Sequence, residues 1–383
     1  MIVLDKNDPN YRQCSMSVMD NIADPNITFD EKGICNYYYE YLEAEKAMVL
    51  KGEEGEKKYN ELIAKIKYDS RGRKYDCILG VSGGVDSTYL AYLAKKAGLR
   101  VLCVHFDNGW NSELAVKNIQ NIVEKCSFDL YTYVIDWEEF KDLQIAYFKA
   151  GVIDIEAVND LAIFLSLEKI CIKFDIKYII DGRNVVTENT LPLSWINKDY
   201  QNLLNIHKKF GTLKLKSFPS INRWQRNYID FKNKYQKIML LNYFDYNKHD
   251  AKITITEEFN WIDYGGKHYE SVFTRFYQGY ILPEKFKIDK RKAHLSNLIF
   301  SGQISKEEAL SQLNEPIYNQ NQFENDFKLV LKKLEFTKES FETYLNSPSV
   351  PHEYYGLSRP LSEDLKFLRI LKPLKTLIFK IKH

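Results

Sequence analysis

The run Ser82-Gly83-Gly84-Val85-Asp86-Ser87 constrains this chain more than any other feature. It follows the apolar stretch Tyr75 to Val81 and opens onto Thr88-Tyr89-Leu90-Ala91-Tyr92-Leu93-Ala94, which reads as a strand, a tight turn and the start of a helix. Two adjacent glycines let backbone N–H groups face an anion without interference from Cβ, and the helix adds its positive dipole end at the same place. The turn is therefore a loop built to grip pyrophosphate. No G-x4-G-K-[ST] pattern occurs, so a γ-phosphate site of the kinase or GTPase type is disfavoured.

The surrounding pattern supplies a fold for that loop. Strands are predicted at 76–81, 100–106, 130–135 and 177–180, separated by helices at 87–97, 112–125, 137–149 and 156–174. Alternating β and α units predict an α/β fold, a parallel sheet with helices on both faces and the ligand at the carboxyl ends of the strands. The second strand then runs into His105-Phe106-Asp107-Asn108-Gly109 and the fourth into Asp181-Gly182-Arg183-Asn184, on the same rim as Ser82 to Ser87. Four regions are expected: an N-terminal module (1–72) ending at a Gly72 hinge, the nucleotide domain (73–190), a substrate-binding extension (191–315) and a helical C-terminal region (316–383).

A length of 383 residues, 45% of them hydrophobic and 28% charged, allows a large core. The net charge of +2 favours neither a nucleic-acid clamp nor an acidic tail. No apolar run approaches about 18 residues, and the first residues lack a basic-then-apolar order, so no transmembrane segment and a cytoplasmic location are expected. The six scattered cysteines read as buried thiols rather than a disulfide framework. The end of the chain, Leu365 to His383, carries six Lys or Arg and no acid; it suits a membrane surface, a partner, or a last helix packed on the body.

A second dense cluster runs from Trp261 to Tyr280 and on through Asp289-Lys290-Arg291-Lys292-Ala293-His294-Leu295-Ser296. Gly265 and Gly266 can bring backbone close to a ligand, while Lys267, Arg275, Lys290 and Arg291 can bind carboxylate or phosphate. His268 with Glu270 can move protons near neutral pH.

The SGGVDS hexapeptide resembles the signature of the PP-loop ATPases, which split ATP between its α- and β-phosphates. More closely, the chain is similar to the bacterial N-acetyl sugar amidotransferases of surface-polysaccharide and pseudaminic-acid-type pathways. That similarity is carried by Asp24 to Asn36, by SGGVDS, by His105 to Gly109, by Gly182-x-Asn184 through Thr187-Glu188, by Pro192-x-Ser194-Trp195, and by the YGGKHYES and DKRKAHLS runs. The resemblance implies that the acetamido oxygen of an N-acetyl sugar, nucleotide-linked or a nonulosonic acid, attacks the α-phosphate of ATP. Ammonia then expels AMP and leaves an acetamidino group. It assigns pyrophosphate binding to Ser82, Gly83, Gly84, Val85, Asp86 and Ser87, further nucleotide contacts to His105, Phe106, Asp107, Gly182 and Asn184, and Mg²⁺ or phosphate handling to Asp86 and Glu188. Lys267, His268 and Glu270 are then candidates for catalysis, and Gly265, Gly266, Arg275, Lys290 and Arg291 for substrate recognition.

Ammonia needs a source. Residue 2 is Ile, not the cysteine of a class II glutaminase, and no cysteine sits on a G-x-C-x-G elbow. The resemblance implies a separate glutaminase with a cyclase-like barrel subunit as conduit. Relatives also carry two C-x2-C pairs near the N-terminus, whereas here Cys14 is matched with Ser17 and Cys35 with Tyr38. Two thiolates are too few for structural zinc, so zinc is not expected, and packing of Tyr37, Tyr38, Tyr39 and Tyr41 is expected in its place. Two alternatives stay open: a PP-loop tRNA-modifying enzyme and a non-catalytic ATP-binding subunit.

Overall fold

The computed structural model describes residues 8–221, 223–232, 234–266 and 269–358. Lys267, His268 and the basic end Leu365 to His383 lie outside the described residues.

Two helices, α1 (Asn36–Met48) and α2 (Gly52–Asp69), precede an alternating series. It runs β1 (Cys77–Gly80), α3 (Val85–Lys96), β2 (Val101–Asp107), α4 (Glu113–Cys126), β3 (Asp129–Val134), α5 (Trp137–Ala150), α6 (Ala157–Lys173), β4 (Tyr178–Ile180) and the short α7 (Val185–Glu188). Helices α8 (Tyr200–Phe210) and α9 (Arg223–Lys232) lead to β5 (Gln236–Ile238) and α10 (Lys248–Phe259). The remainder is helical: α11 (Val272–Phe276), α12 (Leu282–Phe286), α13 (Arg291–Phe300), α14 (Lys306–Asn314), α15 (Gln320–Leu334) and α16 (Lys338–Asn346).

The five strands form one sheet in the order β3-β2-β1-β4-β5, every adjacent pair parallel. Side chains alternate across it. Cys77, Leu79, Val101 and Cys103 face a cluster that includes Leu90, Ala94, Ile119, Ile122, Ile255 and Phe259, so α3, α4 and α10 cover one side. Ile78, Leu102, Val104 and Ile179 pack with Ile170 and Cys171 of α6 on the other. Strands β1, β2 and β4 are buried on both faces, which explains why they read as continuous apolar runs, whereas the edge strands β3 and β5 are largely exposed.

The order reverses beside β1: the chain proceeds outward through β2 and β3, then returns to place β4 and β5 on the opposite flank. In an open α/β sheet the crevice at such a reversal is where ligands bind, and the glycine turn leaves β1 there. Strand β5 was not foreseen. It has three residues, two of them polar, and is held by parallel pairing to β4, with Gln236 N donating to Lys177 O (2.8 Å) and Asp181 N to Ile238 O (2.8 Å).

The N-terminal module docks on the turn after α7 and on α13 and α14. Ser194 Oγ donates to Asp24 Oδ1 (3.2 Å) and Trp195 Nε1 to Ala23 O (3.0 Å), while Lys306 Nζ donates to Cys14 O (2.8 Å). Tyr38 and Tyr41 pack against Phe300 at ring separations of 5.4 and 5.9 Å, and Tyr37 is buried with its hydroxyl on Asp24. Tyr39 departs from expectation: it is exposed and donates to Asp30 Oδ2. All six cysteines are free and buried. Cys35 N donates to Cys14 Sγ (3.2 Å), and hydrogen bonding between the two thiols holds Cys14 below the usual thiol range and Cys35 above it.

Candidate nucleotide-binding and active site

The glycine turn is a self-bonded loop. Gly84 N and Ser82 Oγ are 3.2 Å apart, Ser87 Oγ donates to Gly84 O (3.1 Å), and Thr88 Oγ1 donates to the same carbonyl (2.7 Å). Gly84 caps α3 without a side chain, leaving the first-turn N–H groups directed at the crevice. Gly83 has φ +80° and lies so close to α4 that a Cβ there would fall 2.6 Å from Ala115 O. Its carbonyl accepts from Trp261 Nε1 (2.8 Å), and Asn118 bridges to the same segment, donating to Ile262 O (2.9 Å) and accepting from Ile262 N (2.9 Å). Gly83 thus serves close packing; the groove-facing positions are its neighbours.

Those contacts bring the second polar cluster over the loop. Seen from Gly84, the nearest atoms to a Cβ position are Ser82 Oγ (3.1 Å), Tyr264 OH (3.2 Å) and Glu270 Oε1 (3.4 Å). The Tyr264 hydroxyl hydrogen-bonds to Glu270. Glu270 is held by a short antiparallel pairing that the sequence did not reveal: Ser112 N donates to Glu270 O and Val272 N to Trp110 O, both at 2.8 Å.

Together these elements enclose a cavity of about 1520 Å³ lined by Ser82, Gly84, Val85, Asp86, Ser87, His105, Phe106, Gly182, Asn184, Glu188, Gly265, Gly266, Glu270 and Lys290, among others. His105 acts as a strut: Nδ1 lies 3.2 Å from Val81 O and Nε2 3.2 Å from Asn111 Nδ2, and burial lowers its pKa, which favours the neutral ring. Asn184 is 3% exposed and spends its side chain capping α7, with Thr187 N donating to Oδ1 (2.8 Å). That short helix is gripped on two sides. Asn242 Oδ1 accepts from Val185 N (3.0 Å), and Asn297 Nδ2 donates to Val185 O (2.9 Å) and Val186 O (2.7 Å). Glu188 at its end is thereby fixed on the rim.

Three expectations are corrected by these contacts. Arg275 is buried and committed to Asp326 through Nε (2.7 Å) and Nη2 (3.0 Å), with Nη1 on Tyr269 O (3.2 Å); it does not line the cavity. Arg291 reaches the cavity wall, but its donors are taken by Asp289 and by the carbonyls of Gln312, Leu313 and Glu315 at the end of α14. Asp107 is not a lining residue: Oδ1 accepts from Gly109 N (3.0 Å) and Asn111 Nδ2 (3.1 Å) and so shapes the turn.

Two carboxyls that sequence reading passed over complete the cavity. Asp154 and Glu156, 5% and 8% exposed, line it at the start of α6. Asp154 Oδ2 accepts from Asn197 N (2.7 Å) and Glu156 Oε2 from Thr274 Oγ1 (2.7 Å). Burial, reinforced by Asp160, raises their pKa values to about 7 and about 8, against smaller opposing pulls from these hydrogen bonds and then from Lys290. No signal in the sequence distinguished them from surface acids. Tyr246 was missed for the same reason; its buried hydroxyl donates to Asp86 Oδ1.

Mg²⁺ is held by one or two carboxylates together with phosphate oxygens and water. Asp86, in the first turn of α3, and Glu188 both face the cavity and fit that donor set. Among the described residues no cluster of three or more His, Cys, Asp or Glu is arranged to hold a metal on its own.

A glycine turn on a helix N-terminus, at the reversal of a 3-2-1-4-5 parallel sheet and carrying SGGVDS, is the arrangement expected of a PP-loop nucleotide-binding site. Comparison with known proteins agrees. Residues 76–203 match the family described as queuosine biosynthesis protein QueC, and residues 270–369 match the C-terminal domain of lipopolysaccharide biosynthesis protein WbpG-like proteins. The chain is thus similar to a PP-loop ATPase family over its nucleotide-binding region and to WbpG-like proteins over its C-terminal part.

Among curated proteins, the uncharacterized protein MJ1599 of Methanocaldococcus jannaschii is 28% identical over 176 residues, 45% of this chain and 59% of that protein. The tRNA(Ile)-lysidine synthase of Chlamydia pneumoniae is 38% identical over 72 residues, 18% of this chain and 22% of that protein. The chain thus spans less than two thirds of the length of these relatives. Among solved structures, NMN synthetase from Francisella tularensis aligns with a TM-score of 0.27 at 15% identity, over 58% of this chain and 92% of that one. The NH3-dependent NAD synthetase from Campylobacter jejuni aligns with a TM-score of 0.29 at 13% identity, over 54% and 93%. No helix among the described residues is long and apolar enough to cross a membrane.

Proposed function

We propose that this ATP-dependent ligase converts the acetamido group of an N-acetyl sugar to an acetamidino group, using ammonia delivered by a partner. The observation that carries the reading is the position of Glu270. It opens the WbpG-like region and its carboxylate lies 3.4 Å from the Cβ position of Gly84 in the pyrophosphate loop. The element expected to meet the sugar is therefore in contact with the element expected to hold the phosphates.

In this reading the acetamido oxygen attacks the α-phosphorus, the bond to the β-phosphate breaks, and pyrophosphate stays against the N–H groups of Ser82 to Ser87. Ammonia then adds to the activated carbon, a proton is lost, and the C–O bond breaks to release AMP. Mg²⁺ on Asp86 and Glu188 supplies charge neutralisation at the phosphates when bound. Asp154 and Glu156, whose raised pKa values lie at and just above neutrality, are suited to take the proton that ammonium gives up on becoming a nucleophile. Tyr264 orients Glu270 over the loop. A glutaminase and a cyclase-like barrel subunit would supply ammonia, with the whole assembly acting in the cytoplasm.

The test is pyrophosphate release by the purified chain with ATP, Mg²⁺ and ammonium across UDP- and CMP-linked acetamido sugars and free acetamido acids, with product mass read in parallel. Release dependent on one sugar, with one oxygen replaced by NH, would support the reading. Release driven instead by tRNA would replace it with the base-modifying alternative.

A further inference from the structure

Three cations gather around one aromatic ring at the far end of the cavity from His105. Arg183 lies 5.4 Å, Lys198 5.7 Å and Lys237 5.3 Å from the centroid of Phe164, which is half-buried on α6. All four residues line the cavity. They come from four separate places: α6, the turn after β4, the loop before α8, and β5.

Their counter-ions are unequal to them. Arg183 pairs with Asp181 (Nε to Oδ2, 2.9 Å). Lys237 pairs with Glu168 (3.0 Å), but Glu168 also serves Arg226. Lys198 makes no ion pair among the described residues and is exposed. Its charge acts on Asp154, a carboxyl that burial drives toward the neutral form. The ion pairs thus leave Lys198 unmatched and make Lys237 share its acid with Arg226, while Asp160 and Glu188 also act on Arg183. Like charges around one ring repel one another, and an anion among them would offset that repulsion.

The location indicates which anion. Strands β4 and β5 lie one and two positions from β1, roughly 5 and 10 Å along the rim, on the opposite side from β2 and His105, where the nucleotide is expected. A ligand with its acetamido carbon at the pyrophosphate loop would extend its other end here.

We propose that Arg183, Lys198 and Lys237 around Phe164 form an anion subsite that holds the phosphate or carboxylate carried by the second substrate. The inference rests on the two-substrate reading above and extends it: the acetamido sugar is bound by an acidic group as well as by its hydroxyls.

The experiment is calorimetric titration of the full chain with Mg²⁺ and saturating α,β-methylene-ATP, which blocks the pyrophosphate loop. The probes are UDP for a phosphate, N-acetylneuraminic acid for a carboxylate, and uridine as an uncharged control. The subsite predicts that UDP or N-acetylneuraminic acid binds, that Lys198→Glu weakens it by about ten-fold or more, and that Lys198→Arg restores it. Affinity for the ATP analogue should not change. Uridine binding as tightly as UDP, neither anion binding, or Lys198→Glu and Arg183→Gln both keeping wild-type affinity would overturn the subsite. Failure of pyrophosphate release with every acetamido sugar would instead remove the amidotransferase reading, and these binding results would still decide the subsite.

Discussion

The hydroxyl of Tyr246 donates to Oδ1 of Asp86 across 160 residues of sequence, fixing one carboxylate oxygen in the first turn of α3. Burial and the neighbouring carboxylate raise the tyrosine's pKa far above its ordinary value, so it remains a donor throughout the working pH range. Tyr246 is thus a positioning residue for the carboxylate expected to meet metal and phosphate.

Tyr246→Phe should leave the fold intact and lower pyrophosphate release about ten-fold, with the Mg²⁺ concentration for half-activation rising in parallel. Initial rates across a Mg²⁺ series provide the check. A change in rate with an unaltered Mg²⁺ curve would assign Tyr246 to packing alone.

Gly83→Ala should be severe. The new Cβ meets Ala115 O at 2.6 Å in a conformation, φ +80°, that L-residues resist. Destabilisation of about 2–4 kcal/mol, read from urea unfolding, is expected together with loss of ATP binding.

Asn297→Leu removes the partners of Val185 O, Val186 O and Thr190 N inside the protein. Stability should fall by about 2–4 kcal/mol, and activity of the folded fraction should fall further because α7 no longer holds Glu188. Asn297→Asp, which keeps the acceptor and loses both donors, should retain the contact to Thr190 alone and remain impaired.

Asp154 and Glu156 make stability depend on pH in a defined direction. Their folded pKa values, about 7 and about 8, lie above the ordinary 3.8 and 4.5. Between those limits the native state holds protons that the unfolded chain has released, so stability falls as pH rises from about 4 to about 8 and then levels. The Asp154→Asn, Glu156→Gln double variant should lack this slope and gain a few kcal/mol relative to wild type above pH 8, measured as urea midpoints at pH 5 and 8.5. Pyrophosphate release coupled to ammonium should drop in the same variant if these groups take the proton.

The buried Arg275–Asp326 pair should behave as a structural unit. Asp326→Ala strands the guanidinium and should cost about 3–5 kcal/mol, whereas the folded fraction should keep its affinity for ATP. Thermal melts and nucleotide titration of the same preparation separate the two effects.

Strands β1, β2 and β4 and the helices between them were legible because strands buried on both faces write themselves as short apolar runs, β3 showed through its aromatic and β-branched residues, and SGGVDS marks the turn that matters. What escaped was everything fixed by a distant partner. An arginine in a polar cluster looks like a ligand for an anion until Asp326, or the carbonyls closing α14, are found beside it. The pairing of Trp110 to Ser112 with Glu270 to Val272, which brings Glu270 over the loop, leaves no local pattern. Strand β5, with Gln and Lys as two of its three residues, has no apolar run and owes its state to the edge it meets. Asp154, Glu156, Tyr246 and Asn297 are ordinary polar residues until burial gives them their chemistry.

The position of β5 also bears on how the polypeptide reaches its native state during synthesis. Strand β4 has a bare flank when it leaves the ribosome, and its neighbour is encoded only after residues 181–235 have followed. Until then the half-built nucleotide domain presents an unpaired row of amides and carbonyls beside its future phosphate loop. Fragments ending near residue 203, where the QueC match stops, carry that open border permanently and should self-associate. The sheet that carries the glycine turn is completed only once the chain has passed residue 238, so the nucleotide domain cannot close as an independent unit before the segment that follows it is being made.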